Sequence, residues 1–243
     1  MKKLTSLILL ALVFLANSIW AETADNISSK EKVREWFLKG HAALAFGNYD
    51  KAIKCYKKTL ELDPGFKDAH RFIGDVYLKQ EMLDKAMCEY KKAIATKSNN
   101  MPAHVGLGEI YLKKGKLDEA TSEYKKAIAI NPDSTSSHSG LGNVYFKKEK
   151  INKAISEYKK AIAIDYNNAS AHFNLGCIYH KQGIASAANL LYRAGTLYFK
   201  QGDKEAAFKA YEYLKRTNSK KLEQKLYEKL YPEMKQKKRK LIK

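Results

Sequence analysis

Shifted by 34 residues against itself, the chain superposes four stretches: KAIKCYKKTLELDPG (51–65), KAMCEYKKAIATKSN (85–99), EATSEYKKAIAINPD (119–133) and KAISEYKKAIAIDYN (153–167). The segments before them align as well: HRFIGDVYLKQ (70–80), HVGLGEIYLKK (104–114), HSGLGNVYFKK (138–148) and HFNLGCIYHKQ (172–182). A repeat of this length is one supersecondary unit that buries its apolar face only by stacking on its neighbours. Within each segment small and apolar residues recur at three and four, as in Leu107, Gly108, Tyr111 and Leu112, which is helical and not strand spacing. Gly115 and Gly183, with Gln80 or Glu149 in other copies, separate the two segments, and Asp84, Asp118 or Asn152 follow as residues suited to starting a helix. Pro64 and Pro132 end second segments because proline cannot continue a helix. With only 4 Pro and 13 Gly in 243 residues, collagen-like, linker-rich and all-β classes are excluded.

Period, spacing and residue types together resemble the tetratricopeptide repeat (TPR) family. Its small residue in helix A is met by Gly40, Gly74, Gly108, Gly142 and Gly176, and its helix A tyrosine by Tyr77, Tyr111, Tyr145 and Tyr179. Its helix B alanine is met by Ala52, Ala86, Ala120, Ala154 and Ala188. Tyr56, Tyr90, Tyr124 and Tyr158 follow, then Ala93, Ala127 and Ala161, with Thr59 in the first copy. Glycine and alanine allow the two helices to approach, and the tyrosines fill what is left between them. The resemblance implies an all-α fold, an α-solenoid of helix-turn-helix units wound as a right-handed superhelix. Units are expected at 33–66, 67–100, 101–134 and 135–168, a partial unit at 169–187, another at 188–219, and a capping helix over 220–231. The phase breaks in the fifth copy: Gly195 follows Gly176 by only 19 residues, so one helix is missing from the period. Either 169–182 pairs with a longer helix at about 185–200, or two repeats merge.

The resemblance also places a partner-binding groove along the A helices, at Arg34, Phe37 and His41; Arg71, Asp75 and Lys79; Val105, Glu109 and Lys113; Ser139, Asn143 and Lys147; and Phe173, Cys177 and Lys181. Lysines 79, 113, 147 and 181 recur at the period and form either a ladder for an acidic segment or a set of solvated charges at helix C-termini. A terminal-carboxylate clamp of the kind some family members carry is incomplete. Asn143, Asn174 and Arg193 take three of its positions, but Ser139 and Asn189 stand where lysines are needed. An asparagine ladder is represented by Asn174 alone, against Phe72, Gly106 and Gly140. Histidines 70, 104, 138 and 172 lie one per unit, on separate helices and too far apart to share a metal, so they are expected to pack where Trp36 does in the first unit. No Ser-His-Asp set, HExxH or phosphate-binding glycine loop is present, and no enzymatic activity, cofactor or metal is expected. Cys55, Cys88 and Cys177 have neither CxxC spacing nor an even count; a Cys55–Cys88 disulfide is conceivable only if their Cα atoms come within about 7 Å.

Residues 1–21, MKKLTSLILLALVFLANSIWA, have a secretory-signal layout, with a short linker over 22–32 following it. The uncharged run from Leu4 to Trp20 makes an uncleaved inner-membrane anchor the alternative. Either way the repeats are expected outside the cytoplasm, periplasmic or secreted, with Lys2 and Lys3 inside. The formal charge is +19, and the stretch after Lys215 is dominated by Lys and Arg, ending in a basic tail (232–243). The expectation is an adaptor that holds an extended protein segment, acidic where the lysines act as a ladder, and assists assembly of an envelope complex, with no nucleic-acid partner. The alternative is an accessory protein docking to anionic membrane or cell-wall polymer through the tail or convex face.

Overall fold

The computed structural model describes residues 28–232. The leader at 1–21, residues 22–27 and the tail after Pro232 lie outside them, and residues 28–32, expected as linker, are already the first turns of a helix. Among the described residues all regular structure is α-helical, in twelve helices: α1 (28–45), α2 (Tyr49–Leu62), α3 (Ala69–Lys79), α4 (Leu83–Thr96), α5 (Met101–Lys113), α6 (Leu117–Ile130), α7 (Thr135–Lys147), α8 (Ile151–Ile164), α9 (Ala169–Lys181), α10 (Ala187–Lys200), α11 (Lys204–Lys215) and α12 (Lys220–Leu230). The class is an all-α solenoid of helix hairpins, with α1, α3, α5, α7 and α9 as A helices and α2, α4, α6 and α8 as B helices. The chain divides between Gly106 and Leu107, inside α5, into two compact units. No helix of the described residues is long and apolar enough to cross a membrane.

Local signals set the boundaries. Each A-to-B turn places one residue in the left-handed region: Gly47, Glu81, Gly115, Glu149 and Gly183, with φ between 58° and 72°. The amide of the next residue returns to the carbonyl five residues earlier, as from Lys116 to Tyr111 at 2.9 Å, closing a Schellman-type turn. In the second copy the left-handed residue is therefore Glu81, and Gln80 is the preceding C-cap. Asn100, Ser134 and Asn168 cap the A helices α5, α7 and α9, accepting from Ala103, Ser137 and Ala171 at 3.2, 3.3 and 2.8 Å, and Asn48 and Asp203 cap α2 and α11, accepting from Lys51 and Ala206 at 3.1 and 2.9 Å. Asp84, Asp118 and Asn152 lie inside the first turn of the B helices, whose own N-cap positions are Met82, Lys116 and Lys150 without side-chain caps. As first-turn residues, Asp84 and Asp118 still favour the helix start through their charge.

Close approach between helices is built on glycine against tyrosine. In the first unit a Cβ added at Gly74 would lie 2.8 Å from Cε1 of Tyr90, and one at Gly106 nearer still to the same ring. In the second unit Tyr124 is caught in the same way between Gly108 and Gly140, and Gly142 meets Tyr158. Each such ring is thus held on two sides, by the A helix of its own hairpin and by the next one. Where the second glycine is replaced, the neighbour changes with it: Phe72 stacks on Tyr56 at 5.6 Å. Ala52, Ala86, Ala120 and Ala154 are fully buried behind the rings.

The phase break resolves into a shared helix. α10 packs on α9 as a B helix, entering through the left-handed Gly183, with Gly176 against Leu191. It then leaves through a second turn of the same kind, at Gly202, where the Asp203 amide reaches the Tyr198 carbonyl at 3.0 Å, and packs on α11 as an A helix. Gly195 faces Leu226 of α12 and Ala210 of α11. Leu226 is fully buried in a cluster with Ala188, Leu191, Tyr211 and Leu214, so α12 closes this end.

Because Tyr124 is held on both sides and its ring has nowhere to move, Gly140→Ala should destabilise by about 1–3 kcal/mol, seen as a lower urea midpoint by circular dichroism. Glu149→Gly, which relieves a left-handed glutamate, should raise the midpoint, by up to about 1 kcal/mol.

Candidate functional site

The A-helix face is open in both units except where α11 covers α9. None of the fifteen residues expected to line it is buried, whereas Ile73, Gly74 and Val76 between them in the first unit, and Gly140, Leu141, Gly142 and Val144 in the second, are. The stripe is a consequence of helical spacing: positions three and four apart share one side, and the glycine-bearing side is taken by packing.

In the first unit this face is aromatic and tightly bonded. Phe37 lies 4.5 Å from His41 and 4.7 Å from Phe66, and His41 lies 4.3 Å edge-on from Phe72. Burial and the nearby Arg71 charge hold the His41 ring below its usual pKa, favouring the neutral form. The Arg71 guanidinium sits 3.4 Å over Phe72 and donates to Asp75 at 2.7 Å, and the Tyr90 hydroxyl donates to the other Asp75 oxygen at 2.7 Å. Burial raises the Asp75 carboxyl, which these donors only partly oppose. Arg34 and Phe37 also line a depression of about 620 Å³ beside Leu38, which is 55% exposed.

In the second unit the corresponding position is Asn143, whose Oδ1 accepts from Tyr158 at 2.7 Å and from Asn174 at 2.8 Å. Arg193 does not join them. It donates to Asn167 at 3.1 Å and lies 4.2 Å over Tyr166, so the three residues considered for a carboxylate clamp are not assembled into one. Lys113, Lys147 and Lys181 stand in the last turns of α5, α7 and α9, where a positive charge is favourable. Lys147 makes a long 3.5 Å contact to the Leu112 carbonyl, Lys113 lies 3.9 Å from Glu109, and Lys147 and Lys181 line one depression of about 590 Å³. Phe173 and Cys177 are not open groove positions: Tyr213 of α11 lies 5.4 Å from Phe173, and both residues pack on the cluster under α12. The shared helix brings α11 over them.

The periodic histidines carry a partner that sequence reasoning did not identify. His70 Nδ1 lies 2.7 Å from Glu89 and His138 Nδ1 2.6 Å from Glu157, in each case joining an A helix to its B helix. The same carboxylates accept from Lys92 and Lys160, at 2.7 and 2.9 Å. The Nε2 of His138 faces the Pro132 carbonyl at 2.9 Å, so both acceptors are satisfied only when both ring nitrogens carry hydrogen. In the fifth copy Leu191 replaces the glutamate, and the Nδ1 of the buried His172 is left without a partner. The signal was legible as the recurrence of Glu89, Glu123 and Glu157 at the period of the histidines. Cys55, Cys88 and Cys177 are all free thiols. Among the described residues no group of three or more His, Cys, Asp or Glu is placed to hold a metal ion.

Burial would raise the Glu89 carboxyl, but the hydrogen bonds and charges of Lys92 and His70 outweigh it and hold the group below its usual value. A carboxyl lowered on folding adds stability that is present above its unfolded pKa, about 4.3, and is lost as the pH falls through the folded value. The difference in urea midpoint between the chain and Glu89→Gln should therefore be full at neutral pH and shrink below about pH 4.

Comparisons with known proteins agree with this geometry. A family model described as TPR repeat matches residues 74–115, 108–149 and 142–183, and others described as tetratricopeptide repeat match 33–66 and 189–220. No curated protein sequence matches the chain significantly. Among solved structures, MamA is similar at 26% identity and a TM-score of 0.56 over 67% of this chain and 96% of MamA. The pilF protein of Pseudomonas aeruginosa is 22% identical, with a TM-score of 0.62 over 83% of this chain and 98% of that one. YrrB, described as a TPR protein with an unusual peptide-binding site, is 22% identical, with a TM-score of 0.54 over 78% and 97%. The repeated glycine–tyrosine hairpins and these matches, which span most of the chain, make it a member of the tetratricopeptide repeat family.

Proposed function

We propose that the chain is an exported, non-enzymatic scaffold that holds an extended, acidic segment of another protein against its A-helix faces and assists assembly of a cell-envelope complex. The observation that carries this reading is the open stripe on the A helices. Packing consumes the recurring glycines, alanines and tyrosines, while two stripe positions on each A helix differ from copy to copy beside a lysine that recurs in α3, α5, α7 and α9, as a surface selecting one partner sequence requires. TPR domains bind protein or peptide partners, and the peptide-binding site ascribed to YrrB is in keeping with that use. The signal layout of residues 1–21 supports delivery to the periplasm or beyond. The lysines exposed on this face and the overall charge of +19 favour an acidic partner.

A second reading rests on the basic run KQKKRKLIK (235–243), which would dock the protein to anionic lipid or cell-wall polymer. Affinity capture from the native envelope separates the two. Reversing Lys113 and Lys147 to Glu should reduce partner capture at least tenfold while removal of 232–243 leaves it intact. Capture that survives the reversal and disappears with the tail, with strong salt sensitivity, overturns the first reading in favour of the second.

A further inference from the structure

The shared helix α10 produces a cluster that an uninterrupted array would not contain. Lys209 of α11 holds its ammonium 5.7 Å over the Phe173 ring, and Arg216, just past α11, holds its guanidinium 4.9 Å over the Tyr213 ring. The two rings meet edge to face at 5.4 Å, and Tyr198 adds a third at 6.4 Å from Phe173. Lys181 stands one helical turn beyond Cys177 on α9. Among the described residues none of these three cations has a carboxylate partner, although Lys58, Arg71, Lys126, Lys160 and Lys215 each do. The nearest acid in sequence, Glu212, accepts from Lys215 at 3.2 Å. The charges of Lys209, Lys181 and Arg216 all reach the Cys177 thiol, which places the three around one spot.

We infer that Lys181, Lys209 and Arg216 form a subsite for a carboxylate side chain or terminus of an acidic protein segment, with Phe173 and Tyr213 as its floor. This rests on the scaffold reading and assigns one end of the bound segment to the α9–α11 face. Stacking on the rings holds two of the cations in place before the ligand arrives, which reduces the ordering cost of binding. The ring faces already covered by Lys209 and Arg216 offer no platform for a nucleobase, which sets the site apart from single-strand nucleic-acid surfaces. Cys177 lies under the cluster but is not a nucleophile: burial pushes its thiol up to about 11 against the pull of Lys209, Lys181 and Arg216.

The test uses the full chain and a fluorescein-labelled peptide of ten glutamates, read by fluorescence anisotropy at fixed salt. Lys209→Glu with Arg216→Glu should weaken binding at least tenfold, and removal of 232–243 should change it less than twofold. Should the charge reversals unfold the chain by circular dichroism, Lys209→Gln with Arg216→Gln replaces them with the same expectation. Undiminished peptide affinity in the folded variant overturns the subsite. So does a loss confined to phosphatidylglycerol vesicles, which transfers the cluster to a membrane role. If peptide binding is insensitive to these variants while envelope capture fails with Lys113→Glu and Lys147→Glu, the subsite falls and the scaffold reading stands; the opposite pattern retains the subsite and removes the scaffold reading.

Discussion

A tyrosine ring wedged between glycines sets the spacing of this protein. Tyr90 and Tyr124 each lie so close to two successive A helices that no Cβ fits at Gly74 and Gly106, or at Gly108 and Gly140. Interiors packed at crystal-like density transmit such demands, so the ring fixes both the gap inside a hairpin and the gap to the next one. The rest follows from that geometry. The alanines behind the rings are buried because a larger side chain would separate the helices, and residues on the opposite side of each A helix are left free for other uses.

Most of the fold could be read from the repeat because the same physical demand recurs at the same register. Helix identity, the role of Gly108 and Gly142, and the helix ends near Pro64 and Pro132 all follow from single residues whose constraint is local. Gly106 and Gly140 were harder to interpret. In one copy they look like gaps in a polar ladder, and only the position of the following helix reveals them as the second wall around a tyrosine. The left-handed Glu81 and Glu149 were obscured for the opposite reason, since glutamate carries none of the turn chemistry that marks Gly115.

The site was legible to a different degree. The stripe on the A helices came from the family resemblance, and in the structure none of its residues is buried, although many are only half-exposed. Phe173 and Cys177 departed from expectation because their cover, α11, is brought there by a helix that two hairpins share; a break in phase announces such an event without specifying how the chain resolves it. The bonds of His70 and His138 to Glu89 and Glu157 span nineteen residues across a turn, so no window around one histidine reveals them and only the shared period of histidine and glutamate does. Where that pairing lapses, at His172 and Leu191, the irregular part of the array begins.

The double duty of α10 also decides how far a single change can reach. Its entry turn at Gly183 and its exit turn at Gly202 lie 19 residues apart, and between them one helix serves two hairpins. A substitution at Leu191 acts on Gly176 of α9, while one at Gly195 acts on Leu226 of α12 and Ala210 of α11. Damage elsewhere in the array meets one hairpin and its neighbour; on α10 it meets the end of the array from both directions.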